Sequence, residues 1–284
     1  MRYTVNQFNE RFPDDSACLD YMFEQTYDSL LACPKCGVAD PSYYRIKNRK
    51  CYECKDCGNQ IHPLANTIFH KSSTSLRDWF YVIYLFSVAK NGVSAKEVER
   101  HLGVTYKCAW RIAKKVRMLM FQGNSPLSGI VEADETYIGG RKRGKDISVQ
   151  DKEIIFGMVE RQGNVKAAHV RSAGARVLLP KLRDSVAVGT TVYSDQAMVY
   201  RTLKKIGYLH DSVNHSRGEY GRGVIHTNTI EGFWGQLKRS IDGTYHCVSP
   251  KYLQSYVNEF VYRYNHRQNP VFPVLIAAAG QRVQ

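Results

Sequence analysis

The sequence predicts an α/β protein preceded by a small cysteine-rich β module. From residue 129 onward, three strand-like stretches lead into alternating helix and strand patterns and then into two helices, an order that belongs to α/β or α+β folds. Ahead of them, four of the eight cysteines fall into two CxxC pairs within a Gly- and Tyr-rich stretch. Hydrophobic residues make up 43% of the 284-residue chain, enough for a packed core and against global disorder.

Residues 1–30 read as a short acidic helical lead-in, with Asp14, Asp15, Asp20, Glu24 and Asp28 against Arg2 and Arg11. Residues 31–70 hold the cysteine module, whose short alternations suit small strands. Residues 71–121 are helical: SLRDWFYVIYLFSVAK is apolar and aromatic at helical length, and two further patterns over 94–121 are separated by Gly103. The turn-rich QGNSPLSG at 122–129 is the main boundary. The second half, 128–268, offers strands at 129–138, 153–160 and 164–171, with Gln162-Gly163 as a hairpin turn. A helix follows at 175–185, and a strand at 190–194 ends at Asp195. Next come a helix at 196–206, a strand at 208–213 and helices at 228–241 and 250–266. Residues 269–284 read as a C-terminal tail, and no internal repeat is found.

The formal charge of +14 and a pI of about 9.4 favour a polyanionic partner over a basic protein with no nucleic-acid role. No run of eighteen apolar residues is present, so no membrane span is expected. The N-terminus lacks an apolar signal core, which predicts a cytoplasmic protein. The run Arg141, Lys142, Arg143, Lys145 reads equally as a basic contact loop or as a solvated loop without a partner.

Cys33-x2-Cys36 and Cys54-x2-Cys57 are separated by seventeen residues. Each CxxC turn puts two thiolates on one side of a tight knuckle, and a hairpin between them builds a tetrahedral sulfur cage suited to structural zinc. Gly37 and Gly58 follow the second cysteine of each pair, where a knuckle needs unusual backbone angles. Cys51 leaves an alternative, pairing with Cys54; the matched forms CPKCG and CKDCG favour Cys54 with Cys57. Residues 33–77 hold eight Lys and Arg against three acids, so the ribbon's outer face suits DNA, with a protein-binding ribbon as the alternative.

SAKEVERHLGVTYKCAWRIAKKVRMLM reads as helix, turn, helix. Ser94 and Glu97 suit a capping box, and Gly103 suits the turn. The second helix carries Lys107, Arg111, Lys114, Lys115 and Arg117 opposite an apolar face. Such a helix enters a major groove with Thr105, Tyr106 and Lys107 near base edges; the plain alternative is an amphipathic helix with solvated lysines.

Three acids stand out: Asp134 in the strand VEADETYIGG, Asp195 at the end of the strand in TVYSDQAMVY, and Glu231 early in the helix of HTNTIEGFWGQLKRS. Carboxylates from two strands and a facing helix suit a pair of magnesium or manganese ions acting on a phosphodiester. Glu132 shares a strand face with Asp134 and reads as a ligand or as a neighbour that raises local negative potential, whereas Glu135 points away. His215 and His226 precede the last acid and rank below it.

The sequence resembles the zinc-ribbon DDE transposases of bacterial insertion sequences, in particular insertion-sequence family 1595. The stretches that carry the resemblance are CPKCG, CKDCG, ANTIFH, VEADETYIGG, YSDQAMVY, VNHSRGEY and HTNTIEGFWGQLKR, in order over most of residues 30–265. The resemblance implies an RNase H-like catalytic domain with a mixed sheet, metal-dependent nicking at element ends and strand transfer into target DNA. Asp134 and Asp195 map onto the first two catalytic acids. The third position falls on Glu231 or on Asn228, with Glu231 preferred for its charge. Lys238, seven residues beyond Glu231, matches a lysine that contacts DNA in related enzymes; a solvated helix charge is its other reading. Expected partners are double-stranded DNA, both element ends and target, and further copies of the chain in a synapse. A DNA-binding regulator without catalysis and an RNase H-like nuclease without strand joining are the competing functions.

Overall fold

The computed structural model describes residues 3–27, 31–121, 123, 125–139, 152–195, 198–213 and 221–281. The basic run at 141–145 and His215 lie outside the described residues. The chain divides into two compact units: residues 1–89, 95–119 and 269–284, and residues 90–94 with 120–268.

The first unit opens with α1 (Val5–Arg11) and α2 (Asp15–Tyr27), both within the expected lead-in. Thr4 and Gln7 close a reciprocal capping box on α1, satisfying backbone donors that the helix start leaves open. The ribbon strands β1 (Tyr43–Arg45), β2 (Tyr52–Cys54) and β3 (Gln60–Ile61) form one antiparallel sheet in sequence order. It rests on α2: Phe23 stacks on Tyr52 at 3.9 Å between ring centroids, and the Tyr52 hydroxyl donates to Asp20. Helix α3 (Leu76–Val88) buries Trp79, Phe80, Ile83 and Phe86, and Ser75 caps its start by accepting from the Asp78 amide at 3.0 Å. Helices α4 (Ala95–Leu102) and α5 (Tyr106–Leu119) flank Gly103, whose φ of +64° makes the turn between them inexpensive.

Residues 269–284, expected as a tail, contain a helix instead: α9 (Val271–Gly280). Phe272, Leu275, Ile276 and Ala279 are buried, and Phe272 meets Phe12 and Tyr84 edge-on at 6.0 Å. This apolar stretch therefore completes the core of the first unit.

The second unit holds a five-stranded sheet in the order β6-β5-β4-β7-β8: β4 (Ile130–Ile138), β5 (Glu153–Glu160), β6 (Val165–Val170), β7 (Thr191–Asp195) and β8 (Leu209–Val213). β4, β5 and β6 pair antiparallel; β7 and β8 run parallel to β4, so the sheet is mixed. The β5–β6 hairpin turns at Gln162, with φ of +61°. α6 (Ala175–Ser185) makes the crossover to β7. Within the helix expected at 196–206, residues 198–206 form a 3-10 helix. α7 (Asn228–Ser240) and α8 (Pro250–Asn265) follow β8.

Side-chain alternation splits the sheet into two buried faces. Val131, Ala133, Phe156 and Met158 pack with Leu178 and Leu182 of α6 and with Tyr200 and Leu203 of the 3-10 helix. Ile155, Val159 and Val165 pack with Ile230, Phe233, Trp234 and Leu237 of α7 and with Leu253 and Val257 of α8. Two carboxamides from α8 pair with the outward backbone of the edge strand β6. Asn265 bonds both the amide and the carbonyl of Val165, at 2.7 and 3.0 Å, and Gln254 accepts from the His169 amide at 2.6 Å. Side chains thus take up part of the edge that another strand would otherwise pair.

Candidate active site and metal centre

Asp134 sits in mid-strand on the central β4, opposite Gly157 of β5. On its other side β4 pairs in parallel with β7, with Glu132 beside Tyr193. Two residues further along each strand stand Asp134 and Asp195, so both acids share the sheet face of Glu132. Helix α7 covers that face with Ile230, Phe233, Trp234 and Leu237, spaced i, i+3, i+4, i+7. Glu231 lies in its first turn, exposed, with its carboxylate accepting from the Thr227 hydroxyl at 2.8 Å. Asn228 is the first residue of α7 and Lys238 lies in its last turn; both are exposed.

Burial pushes the Asp134 carboxyl up to about 6, and the negative charges of Asp195 and Glu231 push the same way. The Trp234 indole acts against this by donating to Asp134 Oδ2 at 2.9 Å. Gly157 makes that contact possible: a Cβ there would lie 2.4 Å from Trp234 Cη2. Glu135 faces the other way, accepting from the Tyr200 hydroxyl at 2.8 Å, and burial lifts its carboxyl to about 7.

Glu132 is neither an open ligand nor a loose neighbour. It is fully buried and accepts from Arg161 Nε at 2.7 Å, the Thr229 amide at 2.8 Å, the Thr229 hydroxyl at 2.9 Å and the Ile230 amide at 3.1 Å. His226 Nδ1 lies 3.2 Å from the same carboxylate. A strand carboxylate thus occupies the positive end of α7 and ties the helix that carries Glu231 and Asn228 to the strand that carries Asp134. Sequence reading placed Glu132 on this face but gave no sign of the clamp. It missed Arg161, Trp234 and Gly157 altogether, because each acts through a partner remote in sequence.

In the first unit the thiol sulfurs of Cys33, Cys36, Cys54 and Cys57 all lie within 4.8 Å of one another. Both knuckles use the same bonds. The Gly37 amide donates to the Cys33 carbonyl at 2.9 Å and the Gly58 amide to the Cys54 carbonyl at 3.0 Å, with φ of +73° and +67° at the two glycines. Backbone amides of Cys36 and Lys35 stabilise a Cys33 thiolate and bring that thiol down to about 6. Four convergent sulfurs with donors aimed at one of them fit structural zinc. Cys51 is buried outside this group.

Thr105, just before α5, and Lys107 and Arg111 on α5 are exposed. Lys114 lies over the Trp110 ring at 5.4 Å. Lys115 turns inward, donating to the Ile68 carbonyl at 2.8 Å, with its pKa lowered by burial. Arg117 is buried against Phe86.

Comparison with known proteins finds a family match within each unit. Residues 126–265 match the family model of the ISXO2-like transposase domain, and residues 13–60 match that of the transposase zinc-ribbon domain. An uncharacterised protein in transposable element ISH50 of Halobacterium salinarum is 26% identical over 252 residues, 81% of this chain and 84% of that one. An uncharacterised transposase-like protein of Haemophilus influenzae is 27% identical over 104 residues, 37% of this chain and 80% of that one. Among solved structures, a cryoEM structure of simian T-cell lymphotropic virus intasome in complex with PP2A regulatory subunit B56 gamma aligns at a TM-score of 0.33 and 12% identity, over 64% of this chain and 70% of that one. Among the described residues no helix is long and apolar enough to cross a membrane. With both domains matched in order along the sequence, the chain belongs to the zinc-ribbon DDE transposases of insertion-sequence family 1595, a family of DNA-binding transposases.

Proposed function

We propose that this transposase binds the ends of its element, nicks them by metal-dependent phosphodiester hydrolysis and joins the 3′ ends to target DNA. The observation that carries the reading is the register of β4 and β7, which sets Asp134 and Asp195 on one sheet face beneath the helix that carries Glu231. Asp134 and Asp195 stand on one sheet face, and the charges of Asp195 and Glu231 both disfavour ionisation of Asp134. Mutually repelling carboxylates with oxygen donors suit a hard divalent cation, so Asp134, Asp195 and Glu231 would hold magnesium or manganese. When bound, such ions activate the attacking hydroxyl and stabilise the leaving oxygen. Trp234 fixes Asp134, the Glu132 clamp fixes α7, and Thr227 orients Glu231. Glu231 is preferred to Asn228 as the third residue because a carboxylate is the stronger, charged ligand for a hard divalent cation.

The strand order, with three antiparallel strands and then two parallel ones, supports an RNase H-like fold for residues 128–268. The α4–Gly103–α5 arrangement supports a helix-turn-helix in which Thr105, Lys107 and Arg111 meet DNA. Lys114 and Lys115 rank behind them because both are engaged within the unit. Lys238 is held as a DNA contact beside the site. Pairing two ends calls for at least two copies on DNA, and the protein acts in the cytoplasm.

The test incubates purified protein with labelled element ends and Mg²⁺ or Mn²⁺. Asp134→Asn, Asp195→Asn and Glu231→Gln should each stop cleavage while sparing folding and end binding, and Asn228→Ala should hurt less. A near-normal Glu231→Gln protein beside an inactive Asn228→Ala one would move the third position to Asn228. Cleavage without joined products would make the protein a nuclease.

A further inference from the structure

We propose that a cleft in the first unit, between the ribbon and the start of α3, grips one backbone phosphate of duplex DNA. The proposal rests on the reading that this protein binds DNA. The cleft has a volume of about 370 Å³. Lys50, His62, His70 and Lys71 stand around it, above a floor that includes Phe69 and Trp79, and none of its lining residues is acidic.

Hydrogen-bond directions make the site a donor site. The Asn66 amide donates to His70 Nδ1 at 2.7 Å, which leaves Nε2–H as the ring's donor. Ser72 Oγ accepts from the Trp79 indole at 2.8 Å and from the Thr74 amide at 3.2 Å. With its oxygen serving two donors, the hydroxyl proton is the group Ser72 has left to offer. Two ammonium groups, a ring N–H and a hydroxyl, without a carboxylate, fit a tetrahedral oxyanion. The turn is held in an uncommon backbone conformation, with φ of +59° at Asn66 and +53° at Lys71.

Duplex DNA, not a free anion, is the occupant argued for, because the cleft borders the basic helix. Thr74 Oγ1 lies 3.4 Å from Cys108 Sγ in the first turn of α5, and Arg111 Nη2 reaches that sulfur at 3.7 Å. A duplex meeting Thr105, Lys107 and Arg111 would bring its backbone across the cleft mouth. Phosphate contacts of this kind set register and orientation while base contacts specify sequence.

The experiment measures binding of the full chain to a labelled duplex across a salt series, with zinc content and circular dichroism checking the fold. Lys50→Ala/Lys71→Ala should reduce the slope of log K against log salt by about one, the loss of a single phosphate contact, and leave sequence preference unchanged. Lys205→Ala, an exposed lysine of the second unit, sets the effect of removing one charge elsewhere. A double variant with no more effect than that comparator overturns the proposal. So does wild-type protein that takes up inorganic phosphate in the cleft while the double variant keeps the wild-type DNA slope, since the site would then serve a free anion. Wild-type protein with no salt-dependent DNA binding would instead overturn the underlying reading.

Discussion

Glu132 shows how one buried charge sets the geometry of a site it does not enter. Its carboxylate satisfies the Thr229 and Ile230 amides and Arg161 at once, so deleting it strands several buried donors. Glu132→Ala should therefore cost about 3–5 kcal/mol in urea unfolding, the scale for breaking a buried ion pair. Glu132→Gln should cost less but still slow cleavage, since an amide offers one acceptor oxygen where the carboxylate offers two. Full stability of Glu132→Ala would show that α7 is held by packing alone. Gly157→Ala tests the second positioning contact: its methyl group meets the Trp234 ring, overpacking the core by about 1–3 kcal/mol and pulling the indole from Asp134. Asp134 then loses a donor that favours its ionised form, so the acid limb of the pH–rate profile should move to higher pH. A pH dependence of stability follows from the same carboxyl. Asp134 has a folded-state value raised from 3.8 to about 6, so its contribution is fully present below about pH 4 and is lost as pH rises through 6. At about 1.4 kcal/mol per pH unit, keeping it charged at pH 8 costs about 3 kcal/mol without a cation. Thermal melts should show Mg²⁺ raising Tm at pH 8 and doing little at pH 5, and Asp134→Asn should raise Tm in EDTA while abolishing the Mg²⁺ response. An equal Mg²⁺ shift at both pH values would refute this.

Among the elements, the ribbon is the most dependent on a single class of side chain. Cys33→Ser or Cys57→Ser should release zinc and unfold β1 to β3, because binding worth about 10–16 kcal/mol supplies the folding energy of such modules. Cys51→Ser should keep the metal; zinc loss there, by metal analysis, would revise the ligand set. The ribbon was legible in the sequence because its knuckles repeat locally, and β4 to β8 were legible from their alternation. The helix at 271–280 was not. VFPVLIAAAG has no polar face to set a period, contains Pro273, and follows Pro270, so the segment resembled a tail until its burial against α3 supplied the missing context. The acids Asp134, Asp195 and Glu231 stood out in motifs. Trp234 and Gly157 did not, since what matters is that register sets Gly157 opposite Asp134 and that α7 then lays an indole in the space left open.

At the level of the whole molecule, the +14 charge predicts DNA binding that weakens steeply with salt. The unit boundaries also say which fragments should fold. Residues 120–268 lack the 90–94 segment, whose Val93 amide bonds the Tyr245 hydroxyl at 3.1 Å and whose Asn91 accepts from Gln236 at 2.8 Å. That fragment should be soluble but less stable than the same unit in the intact chain. A fragment running from 122 to 284 should aggregate, because it leaves the apolar face of α9 without α3. The position of α9 has a consequence for synthesis. The ribosome makes the ribbon and α3 first, yet Phe272 and Leu275 emerge only after the second unit, through residue 268, has been translated. The first unit of the nascent protein is thus held without part of its core until then, and a stop codon at position 269 should damage the part of the protein made first.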